Sequence, residues 1–283
     1  MSKRRDIEAH ARTLDEIKGI MGAMKNLALM ESHKLSRTLA TQHRVVDEIE
    51  TAGRDFLAFH PALAPEFSGK DLYLVIGSER GFCGDFNERL LSALARHLDA
   101  SGERAPVLIV VGRKLLEKAE GVHRVAASAE GPTVTEEVQA VLTRVLAQLH
   151  TTASRQASGG RAPVTAVYHD AVTESIVIRP LRPFPAPPRA ARGRPFPPLL
   201  TLPPPVFFAQ LVDVYLFSLL HAIFYSALMA ESRARLEHLE SAIQRLERDQ
   251  TDLLRRRNLL RQEEITEEIE MLMLSTLGNP SRR

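Results

Sequence analysis

The stretch Gly77 to Asn87, GSERGFCGDFN, gathers two carboxylates, a guanidinium, a thiol and three glycines within one short loop. It follows an apolar run and precedes a helical pattern, which is where α/β proteins often bind phosphates. A phosphate-binding P-loop would need G-x-x-x-x-G-K-[ST], and no lysine followed by serine or threonine completes it here. The dinucleotide spacing G-x-G-x-x-G is also missing. Cys83 could act as a nucleophile if a helix N-terminus lowered its pKa. No histidine is placed by the sequence as its base, and a small buried hydrophobe is the commoner fate of a lone cysteine. Gly112-Arg113-Lys114 follows a second apolar run and reads as a strand-end turn, with phosphate contact as the alternative. The ten histidines are scattered, without a pair at metal-ligand spacing beside a carboxylate cluster. No catalytic, cofactor or metal site is therefore expected.

The elements that must carry these loops have an α/β texture. Asp71 to Ser78, Pro106 to Val111, Val164 to Tyr168 and Val172 to Ile178 read as strands, while Val122 to Ala126 is too ambiguous to assign. Asn87 to Asp99 and Thr133 to His150 read as helices, the second opened by a capping box between Thr133 and Glu136. Strands alternating with helices imply a mostly parallel sheet covered on its faces. Ser154 to Gly160 reads as a flexible loop.

Both ends of the chain read as long helices. Val206 to Leu277 contains neither glycine nor proline, and Leu239, Leu246, Leu253 and Leu260 recur at seven-residue spacing. Leu236 and Ile243 fill the alternate row, in which Gln250 and Arg257 then replace aliphatic residues. As one helix this stretch would be roughly 100 Å long. Near the N-terminus, Ile7, Leu14, Met21, Ala28 and Leu35 recur every seven residues, with Ile17 and Met24 interleaved. An intramolecular antiparallel coiled coil is the economical arrangement, and pairing with other chains is the alternative. The expected divisions are an N-terminal helix over 1–58, an α/β domain over 70–180, a connector over 181–205 and a C-terminal helix over 206–277.

Composition narrows the classes further. A net charge of +2 without a basic run interleaved with aromatics argues against nucleic acid. One cysteine excludes an internal disulfide framework. The charged first ten residues lack the apolar core of a secretory signal. Val206 to Ala230 is long and apolar enough for a membrane span. It carries Gln210, Asp213 and His221, however, and a mid-bilayer aspartate costs about 3 kcal/mol, so a buried helix start is expected instead. The stretch RPLRPFPAPPRAARGRPFPPLLTLPPP is too rich in proline for helix or central strand and reads as an extended connector.

Three blocks resemble the γ subunit of F-type ATP synthase. Ile20-Met21-Gly22-Ala23-Met24-Lys25, with Leu27-Ala28 following, is similar to the family's I-T-x-A-M-K-x-V-A. Ser78 to Asn87, SERGFCGDFN, resembles S-D-R-G-L-C-G-x-x-N, and Arg261 to Ile269, RQEEITEEI, resembles R-Q-x-x-I-T-x-E-[IL]. The blocks stand in order over nearly the whole chain. The resemblance implies an antiparallel coiled coil of the terminal helices beside a Rossmann-like α/β domain. It implies a non-catalytic central stalk that rotates inside three α and three β subunits, with its foot on the ε subunit and the membrane ring of c subunits. Such a stalk couples proton or sodium flow to ATP synthesis or hydrolysis. No cofactor and no membrane span of its own are expected. The place implied is peripheral, on the cytoplasmic face of a bacterial inner membrane.

By the same resemblance, Arg261, Gln262, Thr266 and Glu268 match positions that contact β-subunit loops. Arg255, Arg256 and Arg257 would complement acidic elements of the partner, with ordinary solvated helix surface as the alternative. Ile7, Leu14, Met21, Met24, Leu239, Leu246, Leu253 and Leu260 would form the coiled-coil seam. The chain departs from the family where a basic residue usually follows the first block, for Glu31-Ser32-His33 stands there. Only Arg235-Leu236-Glu237-His238-Leu239 answers the family's R-M-x-A-M. A non-rotating coiled-coil adaptor and a nucleotide-dependent enzyme remain the rival functions.

Overall fold

The computed structural model describes residues 2–65, 67, 71–103, 106–120, 124–156, 162–184 and 196–277. Five α-helices and five strands run in the order α1 (Ser2–Phe59), β1 (Leu72–Ile76), α2 (Phe86–Ser101), β2 (Val107–Val111), α3 (Arg113–Ala119), β3 (Val125–Ala129), α4 (Val138–Gln156), β4 (Val164–Asp170), β5 (Ser175–Pro180) and α5 (Pro204–Leu277). The chain divides into two compact units, one of Met1–Leu27 with Glu237–Arg283 and one of Ala28–Leu236.

In the larger unit the strands form one sheet in the order β3-β2-β1-β4-β5. β1 pairs in parallel with β2 and β4, β2 with β3, and β5 closes the edge antiparallel to β4. Four of these strands fall on the runs expected from the sequence. β3 is the edge strand built largely from alanine, whose small residues carry little strand signal. The period of two sorts the sheet's side chains. Tyr73, Val75, Leu108, Val110 and Val167 meet α2 and α3 on one face. Leu72, Leu74, Ile76, Ile109, Val111, Ala166 and Tyr168 join the core formed with α4, α1 and α5 on the other.

Val206 to Ala230 contributes Val212, Tyr215, Leu219, Leu220, Ile223, Phe224, Leu228 and Met229 to that core. Its hydropathy would satisfy a membrane span by length and composition, but here the apolar residues cover the sheet. α1 runs antiparallel to α5 within this unit. Gln42 Nε2 donates to the Ser218 carbonyl, and Tyr215 donates its hydroxyl to Glu50. Phe56 stacks against Phe208.

In the smaller unit the same two helices pair antiparallel. Lys18 Nζ donates to Gln250 Oε1 at 3.3 Å, and Lys25 Nζ meets Glu240 Oε1 at 3.0 Å. Covered positions on α1 recur at Ile7, Ala11, Leu14, Lys18, Met21 and Lys25. On α5 they recur at Leu239, Ile243, Leu246, Gln250, Leu253, Arg257 and Leu260. On the interleaved row Met24 is half-buried beside Lys25, while Lys18 is covered and Ile17 is 40% exposed. Alternating steps of four and three residues put Lys18 on the seam between Leu14 and Met21, and its long apolar stem lets the ammonium reach out to Gln250.

Three other expectations change. The Gly112-Arg113-Lys114 turn opens the short helix α3 rather than a loop. The capping carboxylate for Thr133 comes from Glu137, whose Oε2 accepts from the Thr133 N–H at 2.7 Å and its hydroxyl at 2.8 Å. Ser154 to Gln156 belong to α4, and the rest of the expected loop lies outside the described residues. So does much of the Pro/Arg-rich connector.

Candidate functional site

The strand order reverses between β1 and β4, and in open α/β sheets the crevice at the carboxyl ends of such strands is the usual ligand site. Here the chain's own α5 occupies it. Two loops line the crevice, the one from Gly77 to Asp85 after β1 and the tight turn from Ala171 to Glu174 after β4.

The first loop is held rigid by its own residues. Ser78 N donates to Asn87 Oδ1 at 3.0 Å, and Asn87 Nδ2 returns a bond to Ser78 Oγ at 2.8 Å. This closes the loop across the start of α2. Gly112, at φ 108°, runs so close that an added Cβ would come within 2.7 Å of the Gly77 carbonyl oxygen. Glu79 is buried and reaches sideways, where its Oε2 accepts from Arg113 N at 2.9 Å and Gly131 N at 2.8 Å. One carboxylate thus ties together the loops that follow β1, β2 and β3. Phe82 and Gly84 adopt left-handed backbone conformations that turn the chain back into α2.

Against this loop α5 presents Glu231 and Arg235, one turn apart, both buried and in a close ion pair. Glu231 Oε1 accepts from Arg80 N at 3.4 Å, and Arg235 Nε donates to the Gly81 carbonyl at 3.2 Å. Burial pushes the Glu231 carboxyl up, and Arg235 works against that rise. Cys83 Sγ points at the Gly81 carbonyl, 3.5 Å away, and toward the Glu231 carbonyl at 4.0 Å. Burial raises its thiol to about 12, against a smaller opposing pull from Arg235. A thiol in that state is a packing group and not a nucleophile.

The second loop is held in the same manner. Ser226 Oγ on α5 donates to Asp170 Oδ1 and accepts from Ala171 N at 2.8 Å, while Arg233 Nη1 donates to the Ala171 carbonyl at 2.8 Å. The helix thus engages backbone and carboxylate groups of both strand-end loops. Among the described residues no group of three or more His, Cys, Asp or Glu side chains could hold a metal.

The contact residues expected from the sequence lie elsewhere, on the last turns of α5. Arg261, Gln262, Thr266 and Glu268 are exposed, and Thr266 Oγ1 is turned back onto the Gln262 carbonyl at 2.9 Å. Arg255 pairs with Asp252 at 3.4 Å, Arg256 is exposed, and Arg257 is half-covered and donates to Asn258 Oδ1. Of the seam residues, Leu239 and Met21 are buried, while Ile7, Leu14, Met24, Leu246, Leu253 and Leu260 are half-buried. Gln250 also donates to Asp15 Oδ1 at 3.4 Å, so its position in the seam is polar on both sides. The sequence reading missed Glu231, Asp170 and Ser226. Its signals for the socket were the Ser78 to Asn87 block, which holds Glu79, and Arg235, in the block answering R-M-x-A-M.

A long helix seated in the ligand crevice of its own α/β domain, and paired antiparallel with the N-terminal helix, is the architecture of a stalk. A family model described as ATP synthase matches residues 3–272. The ATP synthase gamma chain of Clostridium beijerinckii is 24% identical over 282 residues, covering 93% of this chain and 94% of that one. The mitochondrial ATP synthase subunit gamma of Yarrowia lipolytica is 29% identical over 113 residues, covering 39% of this chain and 37% of that one. The chain belongs to the gamma family of ATP synthase, the central stalk subunits of the F-type enzyme. In fold it is similar to a chain of the Euglena gracilis mitochondrial ATP synthase rotor, at TM-score 0.59 and 17% identity over 93% of this chain and 99% of that one. It is also similar to a chain of the Tetrahymena thermophila central stalk and c-ring, at TM-score 0.52 and 16% identity, covering 79% and 99%.

Proposed function

We propose that this chain turns as the shaft inside a ring of three α and three β subunits, with its α/β domain resting on the ε subunit and the c ring. As a gamma subunit it is non-catalytic, and ATP is made or hydrolysed in the β subunits. The observation that carries the reading is the seating of α5. One helix of 74 residues is gripped by the strand-end loops through Glu231, Arg235, Ser226 and Arg233, and pairs antiparallel with α1 further along. A rod can deliver torque only if the body that turns it holds it firmly, and buried charge-assisted bonds do that.

Arg261, Gln262, Thr266 and Glu268 then serve as contacts with β-subunit loops, and Arg255, Arg256 and Arg257 as complements to acidic elements of the ring. The exposure of all of them but the half-covered Arg257 supports this, because weak exposed contacts allow a shaft to move on. The complex is peripheral at the membrane. A bacterial cytoplasmic face is the reading that the Clostridium beijerinckii relative supports.

Co-expression with the α and β subunits of the same organism, followed by native mass spectrometry, tests the proposal. One copy of this chain with three of each partner is the expected assembly. A folded chain that never joins such a ring would overturn it.

A further inference from the structure

The turn before α4 connects α1 to the loops that grip α5. At its start, Gly131 N donates to Glu79 Oε2, the carboxylate that also fixes the Gly77–Asp85 loop. In its middle, Glu137 folds back onto Thr133 and so satisfies the turn from within. The two neighbouring residues are left to face α1. Thr135 donates both its N–H, at 3.2 Å, and its hydroxyl, at 3.0 Å, to Glu31 Oε2. Glu136 forms an ion pair with Lys34. Glu31 and Lys34 stand one turn apart on the same face of α1. Glu31 therefore caps the approach to α4 from a different helix, at an end where a carboxylate is favoured. This is the position at which the chain carries Glu31-Ser32-His33 in place of a basic residue.

Three sets of polar contacts follow one another, joined by short stretches of backbone. Glu231 and Arg235 on α5 hold Arg80 and Gly81, the adjacent Glu79 holds Gly131, and Thr135, four residues further along the turn, is held by Glu31 on α1. We propose that Glu31 and Lys34 are positioning residues that clamp α1 to the turn before α4, which Glu79 ties to the Gly77–Asp85 loop that seats α5, so that both helices of the shaft are driven together. The proposal rests on the rotor function above. The Lys34–Glu136 pair is exposed and is screened by salt, so Glu31 is the stronger half of the clamp.

The test has two arms. In the full-length chain, hydrogen exchange is followed over residues 131–138 in Glu31→Ala, Glu31→Gln, Lys34→Glu and the swap Lys34→Glu/Glu136→Lys. Loss of the cap in Glu31→Ala should speed exchange at Thr135 about tenfold. Glu31→Gln keeps an acceptor oxygen and should stay close to the parent. Lys34→Glu should speed exchange, and the swap should restore it. Equal exchange in Glu31→Ala and the parent would overturn the clamp.

In the assembled synthase, ions transported per ATP hydrolysed should fall in Glu31→Ala and Lys34→Glu with hydrolysis retained, and recover in the swap. An unchanged ratio, with only a lower melting temperature, would mean a structural contact and would overturn the positioning role. Failure of the parent chain to assemble would refute the rotor function alone, and the exchange arm would still decide whether the clamp exists.

Discussion

Ser226 Oγ donates to Asp170 Oδ1 across 2.5 Å, which joins the first third of α5 to the last residue of β4. The same hydroxyl accepts from the Ala171 N–H, and the other Asp170 oxygen accepts from the Thr173 N–H at 2.9 Å and its hydroxyl at 2.8 Å. Every bond in this group ties the turn after β4 either to itself or to α5. Ser226 is 1% exposed, so water offers no substitute partner.

Acid should loosen this joint. Burial works to raise the Asp170 carboxyl, but the bonds from Ser226 and Thr173 overcome it and hold the group below its ordinary 3.8. A depressed native pKa contributes stability that is fully present above the unfolded value. That stability is lost as pH falls through the native value. Asp170→Asn should therefore cost about 1–2 kcal/mol at pH 7 and much less at an acid pH below the depressed native value. Urea unfolding at the two pH values measures this, and an equal gap at both would refute it.

The buried pair of Glu231 and Arg235 predicts strong non-additivity. Removing Glu231 alone leaves a guanidinium buried without its counter-charge, which costs about 3–5 kcal/mol. Glu231→Leu and Arg235→Met should each destabilise by that order, whereas the double variant should cost less than either single one. Guanidinium unfolding of all four proteins gives the coupling. Additive losses would show that the two side chains act independently.

Cys83 should be silent toward thiol reagents while the chain is folded. Its thiol is buried and raised to about 12, so almost no thiolate exists at pH 8. Labelling with a disulfide reagent should proceed only after denaturant is added. Rapid labelling of the folded chain would contradict the packing described around Gly81 and Glu231.

Sequence periodicity was enough to find both long helices and four strands, because apolar spacing is set by which faces are buried. It misplaced Ile17 in the interleaved row of α1. Ile17 is apolar and Lys18 is charged, yet the geometry of alternating three- and four-residue steps puts Lys18 on the seam. The socket was harder to see. Glu231 and Arg235 at i and i+4 look like any solvated pair on a helix, and only the loop folded over them makes them buried. Thr133 showed the same limit on a smaller scale, because the sequence could not tell which of two adjacent glutamates would turn back to cap it. Glu137 did so, leaving Glu136 free for Lys34, a partner about a hundred positions away.

The end of α5 carries the last prediction. Ile265, Ile269, Met271, Leu272, Met273 and Leu274 are all between 46% and 70% exposed. An exposed apolar stretch of this kind is a surface suited to protein contact. The unit Ala28–Leu236 builds its sheet, its core clusters and the α5 socket from its own residues. Deleting Arg261 to Arg283 should leave its melting transition within a few degrees of the parent, while ATP-driven ion transport by the assembled complex should drop. The circular-dichroism melt and the transport assay must be read together. Normal transport in the truncated complex would remove Arg261, Gln262, Thr266 and Glu268 from the set of residues that do the stalk's work. A collapsed melt would instead mean that the socket depends on the far end of α5, which the contacts of Glu231 and Arg235 do not suggest.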